Sequence, residues 1–210
     1  MPAAPRSSTR TASQGASRKV AQGAATRAAL IAAGRELFGD PGYAETSTED
    51  LAAAAGVTKG ALYHHFAGKD DLFLAVYEQV KRDITDQVAP SFLEPEAWDA
   101  LIAGCAATID ANLDPAVRRI VMSDGPSVLG PEAVRDVELR YGAIVLRGAL
   151  RKAMNAGVIE RQSLVPLAQM LNGALTEACT LIASAPDPAA SRAEVGAVVQ
   201  RLLEGLRPRD

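Results

Sequence analysis

The sequence predicts an all-α protein of about nine helices, divided into an N-terminal three-helix unit and a larger C-terminal helical body. Three observations lead there. Apolar residues recur at helical spacing along most of the 210-residue chain, and no strand pattern of any length interrupts them. The composition is alanine-rich with 4% aromatic residues, which favours helix because little side-chain entropy is lost on forming one. The periodic stretches are punctuated by glycine, proline and short polar caps, the residues that start and stop helices. A chain of this length can bury a sizeable core without disulfides or metals.

Residues 1–19 mix Ser, Thr, Ala, Pro and Arg without apolar periodicity and are expected to form a disordered basic arm. Such an arm can follow DNA phosphates or enter a minor groove, or it can be an idle tail. From about Val20 to Gly39 a first helix carries Leu30, Ile31, Gly34, Leu37 and Phe38 on one stripe, and Asp40-Pro41-Gly42-Tyr43 then forces a turn. Two short helices follow, over about 47–55 and 58–66. Ser47 caps the first, and Glu49 and Asp50 place negative charge at its positive end. Gly56 lies just past that helix, where a left-handed residue ends it most cheaply. Val57 then turns inward, and Thr58 caps the second helix. Leu51, Ala52 and Ala55 make the inner face of one helix, Leu62 and Phe66 that of the other, and the small alanines allow a close, steep crossing. This is a helix-turn-helix, whose second helix is narrow enough for the DNA major groove.

The outward face of that second helix holds Thr58, Lys59, Gly60, Tyr63 and His64: donors, a small residue and an aromatic hydroxyl. Gly60 costs about 1 kcal/mol against alanine in a helix interior, a cost that close approach to a partner would explain. These five are the candidates for groove contact. Ser47, Thr48 and Lys69 lie at helix ends, where they can anchor phosphates and so set register. Tyr43 either offers its hydroxyl to a phosphate or packs half-buried. The DNA-binding domain is thus expected over 20–66, and a second helical domain over 67–210.

The run AETSTEDLAAAAGVTKGALYHHFAGKDDLF resembles the DNA-binding domain of the tetracycline-repressor (TetR) family of bacterial transcriptional regulators. Gly56 to Leu72 matches that family's signature almost residue for residue, and the likeness extends over about 24–80. It implies a sequence-specific regulator binding a palindromic operator on double-stranded DNA, most simply a repressor released by a small-molecule effector. A DNA-binding dimer without an effector is the other reading.

The remaining helices follow in order. A fourth, capped by Asp70, runs to about Val88 and carries Leu72, Phe73, Val76, Tyr77, Val80 and Ile84 before Ala89-Pro90 ends it. Others are expected over Glu96–Asn112, from Asp114-Pro115 to Met122, from Pro131 to Ala156, over 164–185 and over 189–206, with a loop between Gly125 and Gly130. The resemblance implies that the last two pair with those of a second subunit in a homodimer. The physical argument agrees: a two-fold dimer presents two recognition helices to half-sites about 34 Å apart on one face of the duplex. The resemblance also implies an effector pocket in the 67–210 body. Candidates are Trp98, Cys105, Met122, Tyr141, Met170, Asn172 and Glu177, each equally able to be plain core or interface. Trp and Tyr join apolar faces to a polar handle, Met adapts its shape, and a polar residue such as Asn172 in an apolar wall must be paired or face a ligand. The effector is expected to be lipophilic or aromatic.

Charge and cysteine usage fit this picture. The net charge is −3, but residues 1–66 carry seven Lys/Arg against five Asp/Glu, whereas residues 67–210 carry fifteen against twenty. A basic end on an acidic chain suits local phosphate binding. Cys105 and Cys179 have no metal-ligand spacing and read as reduced thiols of a cytoplasmic protein. No signal peptide or membrane-spanning apolar run is present, and no cofactor or metal is called for. Enzyme chemistry finds little material. His64 and His65 are adjacent, so they point about 100° apart on a helix and cannot share a metal as an i,i+4 pair does. The segment Gly125-Pro-Ser-Val-Leu-Gly130 lacks the Gly-Lys-Ser/Thr ending of a phosphate loop.

Overall fold

The structure is a computed structural model that describes residues 8–208, with side chains from residue 19 onward. The described residues form α-helices and no strands, in two compact units that divide after Val76.

The first unit holds α1 (Ser8–Gly39), α2 (Thr48–Ala54), α3 (Lys59–His65) and the start of α4 (Lys69–Val88). Its core is Leu30 and Phe38 of α1, Leu51 of α2, Leu62 of α3 with Phe66 beyond it, and Leu72, Phe73 and Val76 of α4. Phe38 and Phe73 meet edge to face, 5.1 Å between ring centroids. Packing of the first turns of α4 against α1 moves the boundary ten residues beyond the expected Phe66. Gly34 allows that approach, since a Cβ there would come within 2.8 Å of Val76 Cγ2. Of the arm expected over 1–19, residues 1–7 lie outside the described set. From Ser8 onward the backbone is already helical. Alanine, serine, glutamine and arginine carry enough helix propensity to extend α1 upstream of its apolar stripe.

The second unit contains the rest of α4, a 3₁₀ turn at Ala89–Leu93, α5 (Ala97–Ala111), α6 (Pro115–Arg118), α7 (Gly125–Val137), α8 (Ala143–Asn155), α9 (Leu164–Ser184) and α10 (Pro188–Glu204). Its core draws on Tyr77, Val80, Leu101, Cys105, Ile109, Ile120, Val137, Leu150, Leu175 and Cys179. The stretch from Pro115 to Asn155 departs from expectation. Gly125–Gly130 is not a loop but the opening of α7, which kinks at Gly130 (φ 76, ψ 165). The single helix expected from Pro131 to Ala156 is broken by a π segment at Glu138–Gly142, and a second π segment, Arg119–Asp124, joins α6 to α7. Spacing over helices this short does not reveal the phase slip of a one-residue insertion, so both π segments were invisible to it. The C-terminal end of α8 follows expectation: Gly157 takes φ 71, and Val158 N–H donates to Ala153 O.

Candidate functional site

The helix-turn-helix is built as its local chemistry dictates. Ser47 Oγ accepts from Asp50 N–H at 3.1 Å while Asp50 Oδ2 accepts from Ser47 N–H at 3.0 Å, a closed capping box. The Ser47 hydroxyl also donates to Asp50 Oδ2 at 2.6 Å, and that bond first, then the main-chain one, holds the Asp50 carboxyl below the usual range. At the far end of α2, Gly56 adopts φ 65, and the bonds Gly56 N–H to Ala53 O and Val57 N–H to Ala52 O form a Schellman motif. Thr58 Oγ1 then caps α3 by accepting from Ala61 N–H at 3.2 Å. Leu62 and Phe66 are buried, which turns the opposite face of α3 outward.

On that face Thr58, Lys59, Gly60, Tyr63 and His64 are all exposed, Tyr63 at 49%. A Cβ at Gly60 would meet nothing nearer than 3.9 Å, so the helix there presents bare backbone. Glu49 of α2 also reaches this surface and forms an ion pair with Lys59. The Lys59 bond, helped by Thr48 Oγ1, holds the Glu49 carboxyl down, and the Lys59 ammonium is raised in turn. Glu49 was read from sequence only as a helix-end charge; its ten-residue spacing from Lys59 across the turn was the available signal.

Lys69 and Tyr43 are tied more closely than expected. The Lys69 ammonium donates to Tyr43 O and Thr46 O, each at 3.0 Å, and lies 4.0 Å from the centre of the Tyr43 ring. The Tyr43 hydroxyl donates to Asp70 Oδ1. Burial first, then Asp70, pushes that phenol up to about 12. Tyr43 is half-buried and its hydroxyl ties it to the start of α4, and Lys69 spends two donors on the loop before α2. Ser47 and Thr48 lie half-buried at the N-terminus of α2.

The second unit holds a partly open cavity of about 210 Å³, walled by α4, α5, both π segments, α7, α8 and α9. Its apolar lining includes Tyr77, Ile84, Phe92, Val121, Met122, Leu146 and Leu175. Set into it are Lys81 and Glu138, paired at 2.6 Å, with Asn172 Nδ2 donating to Glu138 Oε2 at 3.2 Å. Burial, and secondarily Glu138, raises the Tyr77 phenol. Both π segments contribute lining residues, and such segments are frequent at functional sites.

Comparison with known proteins bears on both units. Residues 30–76 match the family described as "Bacterial regulatory proteins, tetR family", and residues 98–206 match "Tetracyclin repressor-like, C-terminal domain". The chain belongs to the TetR family. It is a DNA-binding transcriptional regulator of a kind not known as enzymes. A TetR-family regulator from Pectobacterium atrosepticum has a crystal structure that superposes with TM-score 0.77 at 33% identity, covering 90% of this chain and 97% of that one. The Transposon Tn10 TetC protein of Escherichia coli is 26% identical over 144 residues, 69% of this chain and 73% of its own. The transcriptional repressor AcnR of Corynebacterium glutamicum is 29% identical over 131 residues, 58% of this chain and 67% of its own.

Within this TetR-family body, the seven sequence candidates for the effector pocket fall in different places. Met122 and Asn172 line the cavity. Trp98 does not; it stacks under Arg207, 4.7 Å from guanidinium to ring centre. Tyr141 turns its hydroxyl to Arg82 Nη2 at 3.1 Å, and only its carbonyl approaches the site, accepting from Thr85 Oγ1. Cys105 is buried against a separate cleft between α5 and α10, and burial pushes its thiol up to about 12. Met170, 76% exposed, and Glu177 lie on the outer face of α9. Lys81, Glu138 and Tyr77 were missed, although a lysine inside the apolar stripe of α4 was a readable signal. Among the described residues no group of acids, histidines and cysteines could hold a metal, and no helix is long and apolar enough to cross a membrane.

Proposed function

We propose that this TetR-family protein is a cytoplasmic homodimeric repressor that leaves a palindromic operator when a small lipophilic or aromatic molecule enters the α4–α9 cavity. The observation that carries this reading is the cavity itself, apolar but holding a buried lysine paired with a half-buried glutamate. Lys59 and His64 read base edges, Tyr63 and Thr58 contact the backbone, and Gly60 lets α3 sit deep in the groove. Ser47, Thr48 and Lys69 meet phosphates at the edges of the site, and Tyr43 holds Lys69 in place. Glu49 releases Lys59 when DNA binds.

Dimerisation through α9 and α10 is supported by their outward apolar side chains: Val165, Met170 and Leu181 on one, Val198 and Leu202 on the other, each at least 45% exposed. The effector acts through α4, whose second half lines the cavity and whose first turns belong to the DNA-binding unit. It releases DNA only by binding one conformation better than the other. The test is fluorescence anisotropy on an operator selected from random duplexes, with and without compounds that raise the melting temperature. Compounds that stabilise the protein yet leave operator affinity unchanged would refute ligand release.

A further inference from the structure

We infer that the ligand of this cavity is a small neutral molecule carrying a hydroxyl group, an alcohol or a phenol, that accepts from Lys81 and donates to Glu138. This deepens the effector reading above and rests on it. Lys81 is 7% exposed and sits 2.6 Å from Glu138, so the wall's two opposite charges cancel. A charge moved from water into such a chamber is costly unless it gains a matched partner. A carboxylate would gain Lys81 but lie beside Glu138, and an ammonium would meet the reverse. A neutral guest avoids that conflict.

Four hydroxyl donors of the wall are already engaged. The hydroxyls of Thr85, Thr108, Thr176 and Thr180 each donate to a main-chain carbonyl at 2.8–3.2 Å. The ion pair is the charged feature of the lining, and it has hydrogen-bonding capacity left. Glu138 uses one of the three donors of the Lys81 ammonium, and Lys81 with Asn172 uses two of about four acceptor positions of the carboxylate. A hydroxyl is the smallest group that accepts and donates at once, so it can bridge both partners. The pair is also held in place. Glu138 lies in a π segment and folds over Gly142, where an added Cβ would collide with Oε2.

The test is calorimetric titration of the full chain with three molecules of one shape: cyclohexylmethanol, cyclohexanecarboxylate and cyclohexylmethylammonium. The alcohol should bind at least about tenfold more tightly than either ion. If an ion binds as tightly or more tightly, the inference is overturned while the effector reading stands. If none of the three binds, the inference is overturned, while the effector reading is decided by its own operator assay. Glu138→Gln keeps the shape and leaves Lys81 uncompensated, so the tightest probe should become the carboxylate. An unchanged order in that variant would overturn the charge argument, and the wild-type ranking decides the matter should the variant fold poorly.

Discussion

Replacing Gly125 by alanine tests the packing behind Tyr77, a residue of the cavity wall. Gly125 is buried at the start of α7 with ordinary helical angles (φ −51, ψ −57), so backbone strain plays no part. An alanine Cβ would lie 2.5 Å from Tyr77 Cε2 and 2.9 Å from the main-chain oxygen of Ile120, where ordinary contact begins at 3.4 Å. Tyr77 is 1% exposed, and the Ile120 main-chain carbonyl, fixed in the first π segment, cannot give way. Overpacking of this kind costs about 1–3 kcal/mol, and one rigid neighbour puts this case in the upper half. Gain in helix propensity returns at most about 1 kcal/mol. The net loss of about 1–2 kcal/mol should lower Tm by about 2–8 °C for a chain of this size. Gly148→Ala is the matched control, in mid-α8 with nothing within 4 Å, where the same propensity gain acts unopposed and Tm should rise. Circular-dichroism melts at one protein concentration make the comparison, since a dimer's Tm depends on concentration. If Gly125→Ala melts as high as Gly148→Ala, the packing argument is wrong.

Tyr63→Phe should weaken binding to all operator sequences alike and leave Tm unchanged, because the ring is half exposed; a sequence-selective loss would instead make its hydroxyl a base reader. Lys69→Ala should lower the slope of log affinity against log salt by about one, and also destabilise by about 1–3 kcal/mol through its two lost carbonyl bonds. An unchanged salt slope would reduce Lys69 to a structural clamp. Leu181→Glu with Leu202→Glu should yield monomers in sizing with light scattering, and a persistent dimer would move the interface off α9 and α10. At high pH the sign is fixed by Tyr43. The unfolded phenol ionises near about 10, and the folded one only at about 12. The stability it contributes is complete below the lower value and is lost as pH rises toward the upper one. Tyr43→Phe should remove that step from an ultraviolet tyrosinate titration.

What could be read from the sequence was what the chain decides locally. The Ser47–Asp50 box, the left-handed Gly56, the Thr58 cap and the alternation of Leu62 and Phe66 with Lys59 and Tyr63 depend on neighbours a few positions away, and the structure reproduces each. The cavity depends on which helix faces meet, and spacing within one helix does not report that. Trp98 and Tyr141 were chosen for chemistry that suits ligands, but Arg207 and Arg82 occupy their polar or π faces. Asn172 was recognisable because an amide on an apolar helix needs a partner; its partner, Glu138, lies 34 positions away on another helix. Lys81, amid Tyr77, Val80 and Ile84, carried a signal in its apolar setting, but spacing alone does not separate a buried lysine from one whose stem snorkels to solvent.

The two π segments make the cavity a matter of counting as much as of chemistry. Delete one residue between 139 and 141, and the backbone could close as plain α-helix, swinging the side chains of α8 by about 100° around its axis. Val145 and Leu146 would then point away from the cavity although no lining residue had been exchanged. Relatives that differ in length at those two places should therefore accept different guests even where their wall residues are the same.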